Sequence, residues 1–233
     1  EMNLPLIENI LGQAEAIRSV AAYQLGEGQQ ALLQSSALLR SSQRIILSGM
    51  GASLSACIPL SHYLASKGVL VPVIETSELL YSYAPVIDEN TAVILVSRSG
   101  ETVEVTKLLP ILKQRKTTVI GVTNVPHSTL DSSSTQAVLL HSPPDQLVAI
   151  QTYTATVLVL LHLGAAFLNE LSAKVRSELD STVNALSSWI PECFQSSEKW
   201  SSFLDAASPL YVLGRGASLA SVAESVLLLH EVA

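Results

Sequence analysis

Residues 92–102 read AVILVSRSGET and combine two signals in one short stretch. The first five, Ala92–Val96, form an uninterrupted apolar run, which is typical of a strand buried on both faces of a parallel sheet. The next six, Ser97–Thr102, place three hydroxyl side chains around Gly100 and lead into a helix-length segment. This order of strand, polar glycine loop and helix predicts a ligand-binding loop at the carboxyl end of a parallel strand.

The same alternation extends to both sides of this stretch. Helical segments are predicted at about 53–67, 103–114 and 148–169, between short apolar runs. Apolar strands that alternate with helices predict an α/β fold: a three-layer sandwich in which helices flank both faces of a parallel five-stranded sheet. The predicted strands are Ile45–Leu47, Val71–Ile74, Ala92–Val96, Thr118–Val122 and Ala137–Leu140.

Four segments are predicted along the chain. Apolar residues at helical spacing over 4–40 predict two N-terminal helices separated at Gly26 and Gly28. Near the other end, two helices at about 172–188 and 192–206 precede a strand at Leu210–Leu213. The segments are therefore N-terminal helices at 1–43, a first α/β domain at 44–171, a helical connector at 172–208, and the start of a second, similar domain at 209–233.

An internal repeat supports the second domain. Ser48–Leu54, SGMGASL, is echoed by Leu213–Leu219, LGRGASL, at a constant offset. Both copies follow an apolar run and open a helix, so each predicts a unit of strand, glycine turn and helix. Since only one helix fits after the second copy, we expect the native protein to continue beyond Ala233 by roughly a hundred residues or more, as an ordinary domain requires.

Composition limits the classes of function. Apolar residues make up 48% of the 233 residues, and the formal net charge is −7, which argues against nucleic acid as a partner. The uncharged stretch 146–169 contains Gln151 and His162 and has no flanking basic belt, so it predicts a buried helix and no membrane partner. The acidic, amphipathic N-terminus and the isolated Cys57 and Cys193 predict a cytoplasmic protein with reduced thiols.

The loop Ser97–Thr102 is predicted to bind a phosphate group. Gly100 lets the backbone approach a ligand, and free N–H groups at a helix start favour an anion. The hydroxyls of Ser97, Ser99 and Thr102 can donate to phosphate oxygens. The alternative is an ordinary capped helix start with Ser99 as the N-cap, which accounts for one hydroxyl but not three.

A second loop, Gly49–Ser53, has a similar design. Its two glycines are a weak signal alone, because turns routinely use glycine. The loop lacks the third glycine of a dinucleotide fingerprint, although Glu75 follows at the distance of a ribose-binding acid. A nucleotide-binding oxidoreductase therefore stays a minor alternative. No cofactor is expected, and the histidine spacing predicts no metal site.

Four motifs together resemble the sugar isomerase (SIS) domain family. The most similar branch is the tandem-SIS phosphosugar isomerases, such as the isomerase half of glucosamine-6-phosphate synthase, which implies a flavodoxin-like SIS fold. The Ser-x-Ser-Gly-Glu-Thr signature is the most specific element. The four motifs are Ser48–Ser53 (SGMGAS), Ser97–Thr102 (SRSGET), Val148–Thr152 (VAIQT) and Leu213–Gly216 (LGRG).

The resemblance also implies site residues. Glu231 stands at the position of the family's catalytic glutamate, which transfers a proton between C1 and C2 during aldose–ketose conversion. Two positions depart from the family pattern: Arg98 replaces a usual glutamine, and Leu228 replaces a lysine. The residues implied to bind the sugar and its phosphate are Ser53, Ser97, Arg98, Ser99, Gly100, Thr102 and Val148.

The implied function is a phosphosugar isomerase-type enzyme without a glutaminase domain of its own. Its substrate would be a hexose 6-phosphate or an amino-sugar phosphate, and aldose–ketose isomerase, deaminase-isomerase and deglycase activities stay open. A non-catalytic phosphosugar sensor is the alternative. Since members of the family are commonly dimers that share active sites between subunits, a homodimer is expected.

Overall fold

The fold comes from a computed structural model that describes residues 4–201 and 209–232. The strands are β1 (Arg44–Gly49), β2 (Val73–Glu75), β3 (Thr91–Val96), β4 (Thr118–Thr123) and β5 (Gln136–Leu139). The helices are α1 (Leu4–Leu11), α2 (Gln13–Gln24), α3 (Gln29–Ser41), α4 (Ala52–Ser66), α5 (Thr76–Tyr81), α6 (Val103–Gln114), α7 (Thr129–Ser133), α8 (Gln151–Phe167), α9 (Ala173–Ser201) and α10 (Leu219–Val232).

The five strands form one parallel sheet in the order β2-β1-β3-β4-β5. In register, Leu47 pairs with Ile94 across β1 and β3, and Ile94 pairs with Ile120 across β3 and β4. The predicted α/β architecture is confirmed. Because β2 and β3 lie on opposite sides of β1, the strand order reverses between β1 and β3, where open α/β sheets form a ligand crevice.

The core has two layers, one on each face of the sheet. Alternate β3 residues separate between them: Ile94 joins the cluster with α3, α4 and α8, whereas Val93 and Leu95 join the cluster with α5, α6 and α7. Every residue of β3 is buried. This is why the sequence of β3 is apolar without alternation, as in other strands covered on both sides.

The N-terminal region contains three helices where two were predicted. The break between α1 and α2 falls at Gly12, whose N–H still donates to Glu8 O at 2.8 Å. α8 confirms the predicted buried helix, although it begins at Gln151 and not at 148. Within the described ranges, no helix is both long enough and apolar enough to span a bilayer.

The connector differs from the prediction of two helices. α9 runs without interruption from Ala173 to Ser201 and passes through Pro191. Its apolar stripe includes Val183 and Ile190, which are buried and precede Pro191, and Phe194 beyond the proline is half-buried. The packing of this stripe on α2 and α8 offsets the hydrogen bond that a proline removes from a helix. The remainder of the second predicted helix, 202–206, lies outside the described residues.

The predicted strand at Leu210–Leu213 is wrong. Residues 209–215 have no regular secondary structure, and Leu213 is 87% exposed. A strand requires a neighbour that pairs with its backbone groups, and the described residues offer none beside this segment. The helix expected after it is present as α10, preceded by a short 3₁₀ turn at Gly216–Ser218.

Gly121 on β4 supports α7, which in turn supports the loop after β3. A Cβ at Gly121 would overlap the Ser134 hydroxyl and lie 3.1 Å from Leu130 Cγ. We therefore expect Gly121→Ala to lower the free energy of unfolding by about 1–3 kcal/mol, measured by urea denaturation. In a Ser134→Gly background, the destabilisation caused by Gly121→Ala should be smaller by about 1 kcal/mol, because the Ser134 hydroxyl, which lies nearest to the new Cβ, is absent. Equal costs in both backgrounds would contradict this packing.

Candidate functional site

Two glycine loops stand side by side where β1 and β3 end. Ser48 pairs with Leu95 in the sheet, so the loops that follow, Gly49–Ser53 and Ser97–Thr102, emerge at the same edge. This edge is the carboxyl end of the strands at the point where the strand order reverses. The fold therefore brings together the two loops that the sequence marked separately.

The loop Ser97–Thr102 is organised by its own hydrogen bonds. The N–H of Gly100 donates to the carbonyl and to the hydroxyl of Ser97, each at 3.1 Å. Ser97 Oγ lies 2.8 Å from Thr102 Oγ1, and the N–H of Glu101 donates to Ser99 Oγ at 3.2 Å. Ser97 is buried and Ser99 is exposed. The three predicted hydroxyls thus belong to one small backbone turn.

The start of α6 has no side-chain cap. Its N-cap position is Thr102, whose side chain accepts no hydrogen bond from the helix and pairs with Ser97 instead. The alternative in which Ser99 caps this helix is therefore wrong. Helices leave their first N–H groups without internal partners, and these groups carry the positive end of the helix dipole. An anion at this position would supply the missing acceptor.

α7 holds the loop from the other side. Gly100 has a φ of +67°, and a Cβ there would overlap the Ser128 hydroxyl and lie 2.6 Å from Ser128 Cβ. The Glu101 carboxylate accepts hydrogen bonds from the backbone N–H and, at 2.8 Å, from the hydroxyl of Thr129. These bonds, the backbone one first, lower the pKa of Glu101. Gly100 and Glu101 therefore fix the loop, so that its hydroxyls and amides keep their places.

The second loop and the start of α8 meet beside Arg98. Gly51 has a φ of +51°, and the N–H of Ser53 donates to Met50 O at 3.0 Å. Ser53 and Arg98 line a cleft of about 10 Å³ together with Thr152. That volume holds about one water molecule and no sugar ring. A sugar would therefore lie above this cleft, or its binding would open it.

Asp145 orients the segment that contains Val148. Its carboxylate accepts hydrogen bonds from three consecutive backbone N–H groups at the start of α8: Ile150 at 3.1 Å, Gln151 at 2.8 Å and Thr152 at 3.0 Å. Because this charge already occupies the N-terminus of α8, the helix starts three residues later than predicted and Val148 lies in the preceding loop. Sequence analysis did not single out Asp145, although an acidic residue shortly before a helix is a known capping signal.

Two glutamates on α10 differ in environment. Glu231, the predicted catalytic residue, is exposed. Glu224, two turns earlier, is 5% exposed, and among the described residues neither of its carboxylate oxygens has a hydrogen-bond partner. Burial, and secondly the charge of Glu231, raise the pKa of Glu224 to about 7. Sequence analysis missed Glu224, and no motif marks it; its burial follows from how α10 packs on α4.

A cleft of about 680 Å³ lies beside α6 and α7 and contains none of the predicted site residues. Its charged lining residues are Lys113 and Lys116, and it reaches Thr117 and Val119. This part is the amino end of β4, whereas ligands of open α/β sheets bind at the carboxyl ends of the strands. Its size alone therefore does not make it the candidate site.

Gly100→Ala tests how tightly α7 holds the loop, and Gly68→Ala is its matched control. Both glycines have positive φ, so alanine costs about 1–2 kcal/mol at either position. A Cβ at Gly68 meets nothing within 4 Å, whereas at Gly100 it collides with Ser128. We expect Gly100→Ala to destabilise the protein by about 1–3 kcal/mol more than Gly68→Ala in urea unfolding. Equal losses would show that the loop is not clamped.

Comparison with known proteins identifies the family of the sheet domain. The family model of the SIS domain matches residues 38–167, more than half of the chain. The glutamine–fructose-6-phosphate aminotransferase [isomerizing] of Pyrococcus horikoshii is 28% identical over 98% of this chain. The chain spans 38% of the length of that relative. The arabinose 5-phosphate isomerase KpsF of Escherichia coli is 30% identical over 70% of this chain and is covered over 50% of its own length.

A solved structure shows the same fold. It is the C-terminal domain of the glucosamine-fructose-6-phosphate aminotransferase from Francisella tularensis, with a TM-score of 0.83 and 22% identity. The match covers 99% of this chain and 68% of that one. The match therefore extends past the family model to α9 and α10.

Proposed function

The chain belongs to the SIS domain family, and from this premise we propose that it binds a phosphorylated sugar and acts on it as an isomerase-type enzyme. The observation that carries the proposal is the uncapped start of α6, where Ser97, Ser99 and Thr102 surround Gly100. The loop supplies amides, hydroxyls and a positive dipole end, all of which suit a phosphate dianion.

The attraction for an anion has to be local. The chain has a net charge of −7, so its overall field repels a phosphate. Arg98 is an exposed residue within the loop, and its guanidinium can add a bidentate contact that a glutamine cannot. Ser53 faces the same cleft as Arg98, which supports a place for it beside the bound sugar.

The relatives support the class of substrate. By their names, the Pyrococcus and Escherichia proteins act on fructose 6-phosphate and arabinose 5-phosphate. Both are sugar phosphates whose rings can open to a chain with a free carbonyl group. We extend to this chain only the shared feature, a phosphorylated aldose or ketose. The phosphate would bind at Ser97–Thr102, and the carbonyl end of the sugar would extend past Val148 towards α10.

In the proposed reaction, Glu231 moves a proton between neighbouring carbons. As a carboxylate it takes the proton from C2 of an aldose while the C1 carbonyl oxygen gains a proton, which gives a 1,2-enediol. Glu231 then returns a proton to C1 as the O2 hydroxyl loses its own, and the carbonyl now stands at C2. The step conserves atoms and electrons and requires no oxidant.

The proposal includes a second similar domain that begins at residue 209. The repeat is supported by backbone conformation: Gly51 and Gly216 both have positive φ, at +51° and +60°, and each precedes a helix. A Cβ at Gly49 would lie 2.9 Å from Ser53 O, and one at Gly214 would lie 3.3 Å from Ser218 O. In both turns the glycine faces the carbonyl group four residues later, with the tighter approach at Gly49, and this shared position is what repeated units require.

Removing two hydroxyls tests the phosphate loop. We expect the double substitution Ser97→Ala and Ser99→Ala to weaken fructose 6-phosphate binding at least about 10-fold in calorimetry, since each removes a hydrogen bond to a charged group. The matched control is Ser132→Ala with Ser133→Ala, two exposed serines on α7. Unchanged affinity in the first double variant would remove the loop from the site.

Turnover tests the reaction. We expect proton NMR in D2O to show exchange at C1 or C2 of a hexose 6-phosphate or its amino derivative, and Glu231→Gln to slow it by about 10²–10⁴-fold without loss of binding. Retained exchange in Glu231→Gln would exclude that residue as the base. Binding without any exchange in the wild-type chain would support a phosphosugar sensor instead.

A further inference from the structure

α10 lies against the loop that contains Ser53. It packs on α4, and the side chain of Leu227 comes within 3.7 Å of the place where a Cβ would stand at Gly51. Of its described residues, α10 buries Ala220 and Glu224. Several of its large apolar residues stay exposed, for example Val226 at 40%. The face of α10 that packs on the protein is therefore narrow, and it contains the buried carboxyl group of Glu224.

Among the described residues, the structure shows no hydrogen bond that would stabilise a negative charge on Glu224. The residues one turn away on α10, at i−4, i−3, i+3 and i+4, are Ala220, Ser221, Leu227 and Leu228, and none is basic. Among the residues that the structure describes, neither carboxylate oxygen accepts a hydrogen bond. Burial of an unpaired carboxylate costs several kcal/mol, whereas a protonated carboxyl group costs much less.

The surrounding titratable groups do not offset this cost. On α10 itself, Glu231 adds a repelling negative charge. On α8, the pKa of Tyr153 is raised to about 12 by burial and then by the charge of Glu224, so its phenol stays neutral. On α4, burial raises the pKa of the Cys57 thiol, which stays neutral as well. Glu231 therefore favours a proton on Glu224, and the neutral phenol and thiol supply no positive charge that would stabilise its carboxylate.

We propose that Glu224 is a positioning residue. In this proposal α10 docks on α4 when Glu224 is protonated and neutral, and this docking sets the position of Glu231. The consequence for catalysis rests on the proposed role of Glu231, but the docking itself does not. Loss of the proton would leave an unpaired carboxylate between α10 and α4. It would thereby weaken the packing of α10 against the loop Gly49–Ser53. The buried carboxyl would thereby link solution pH to the geometry of the site.

The direction with pH follows from the raised pKa. Glu224 titrates at about 7 when docked and near its usual 4.5 when released. Docking is therefore strongest below about pH 4.5, weakens as the pH rises towards 7, and is constant above that. Since each pKa unit is a tenfold change, the docking equilibrium should fall on the order of 100-fold across this window.

Hydrogen exchange of the whole chain without sugar tests the proposal. After correction for intrinsic rates, we expect the amides of α10 to lose protection on the order of 100-fold from pH 4.5 to 8, relative to α3. Glu224→Gln, which is neutral and of the same shape, should remove this dependence. Glu78→Gln, at an exposed position on α5, should keep it. A flat wild-type profile, or an unchanged profile in Glu224→Gln, would overturn the proposal.

A second measurement needs no variant. A ¹³C titration of the Glu224 carboxyl in the wild-type chain should give a pKa near 7, and a value near 4.5 would overturn the proposal. Neither experiment uses a sugar or measures turnover. Both therefore test the docking of α10 even if the proposed enzymatic function is wrong. Where turnover is found, its pH profile should differ between wild type and Glu224→Gln between pH 5 and 8, which a merely structural role of Glu224 would not produce.

Discussion

The parallel pairing of β1 with β3 is the constraint on which the site depends. It fixes the ends of both strands at one edge, and the reversal of strand order at that point opens a crevice between the crossover helices. A shift of one residue in this register would exchange the two faces of β3 and separate Leu95 from the core that holds α6. The register of β1 with β3 therefore fixes where the loop after β3 begins.

The loop Ser97–Thr102 is held in place by contacts within the protein, without a ligand. Gly100 is pressed against Ser128, and the Glu101 carboxylate is bonded to Thr129, so the short helix α7 acts as a support. The carboxylate of Asp145 does the same for the start of α8. Each acidic side chain satisfies backbone donors at one position, whereas the start of α6, the proposed anion site, has no side-chain cap. Preorganised amides of this kind suit a phosphate, because little order is lost when it binds.

The sequence predicts the sheet, its five strands and the glycine loop after β3, because apolar runs and glycine turns are local signals; phosphate binding at that loop stays a prediction. The strand at Leu210–Leu213 was wrong since pairing depends on a neighbour, which no local pattern reveals. The uncapped start of α6 depends on the Ser97–Thr102 hydroxyl contact, which connects residues across a turn. Glu224 was missed because its burial arises from the docking of α10 on α4, far away in the chain.

The most direct test of the account is a ¹⁵N amide NMR titration of the chain with fructose 6-phosphate, with inorganic phosphate alongside. The account predicts that both ligands move the amides of Ser99–Val103 most, and that the sugar phosphate also moves amides around Ser53 and Val148. Shifts confined to the cleft at Lys113 and Lys116, or no shift in the loop after β3 at saturating sugar phosphate, would contradict it.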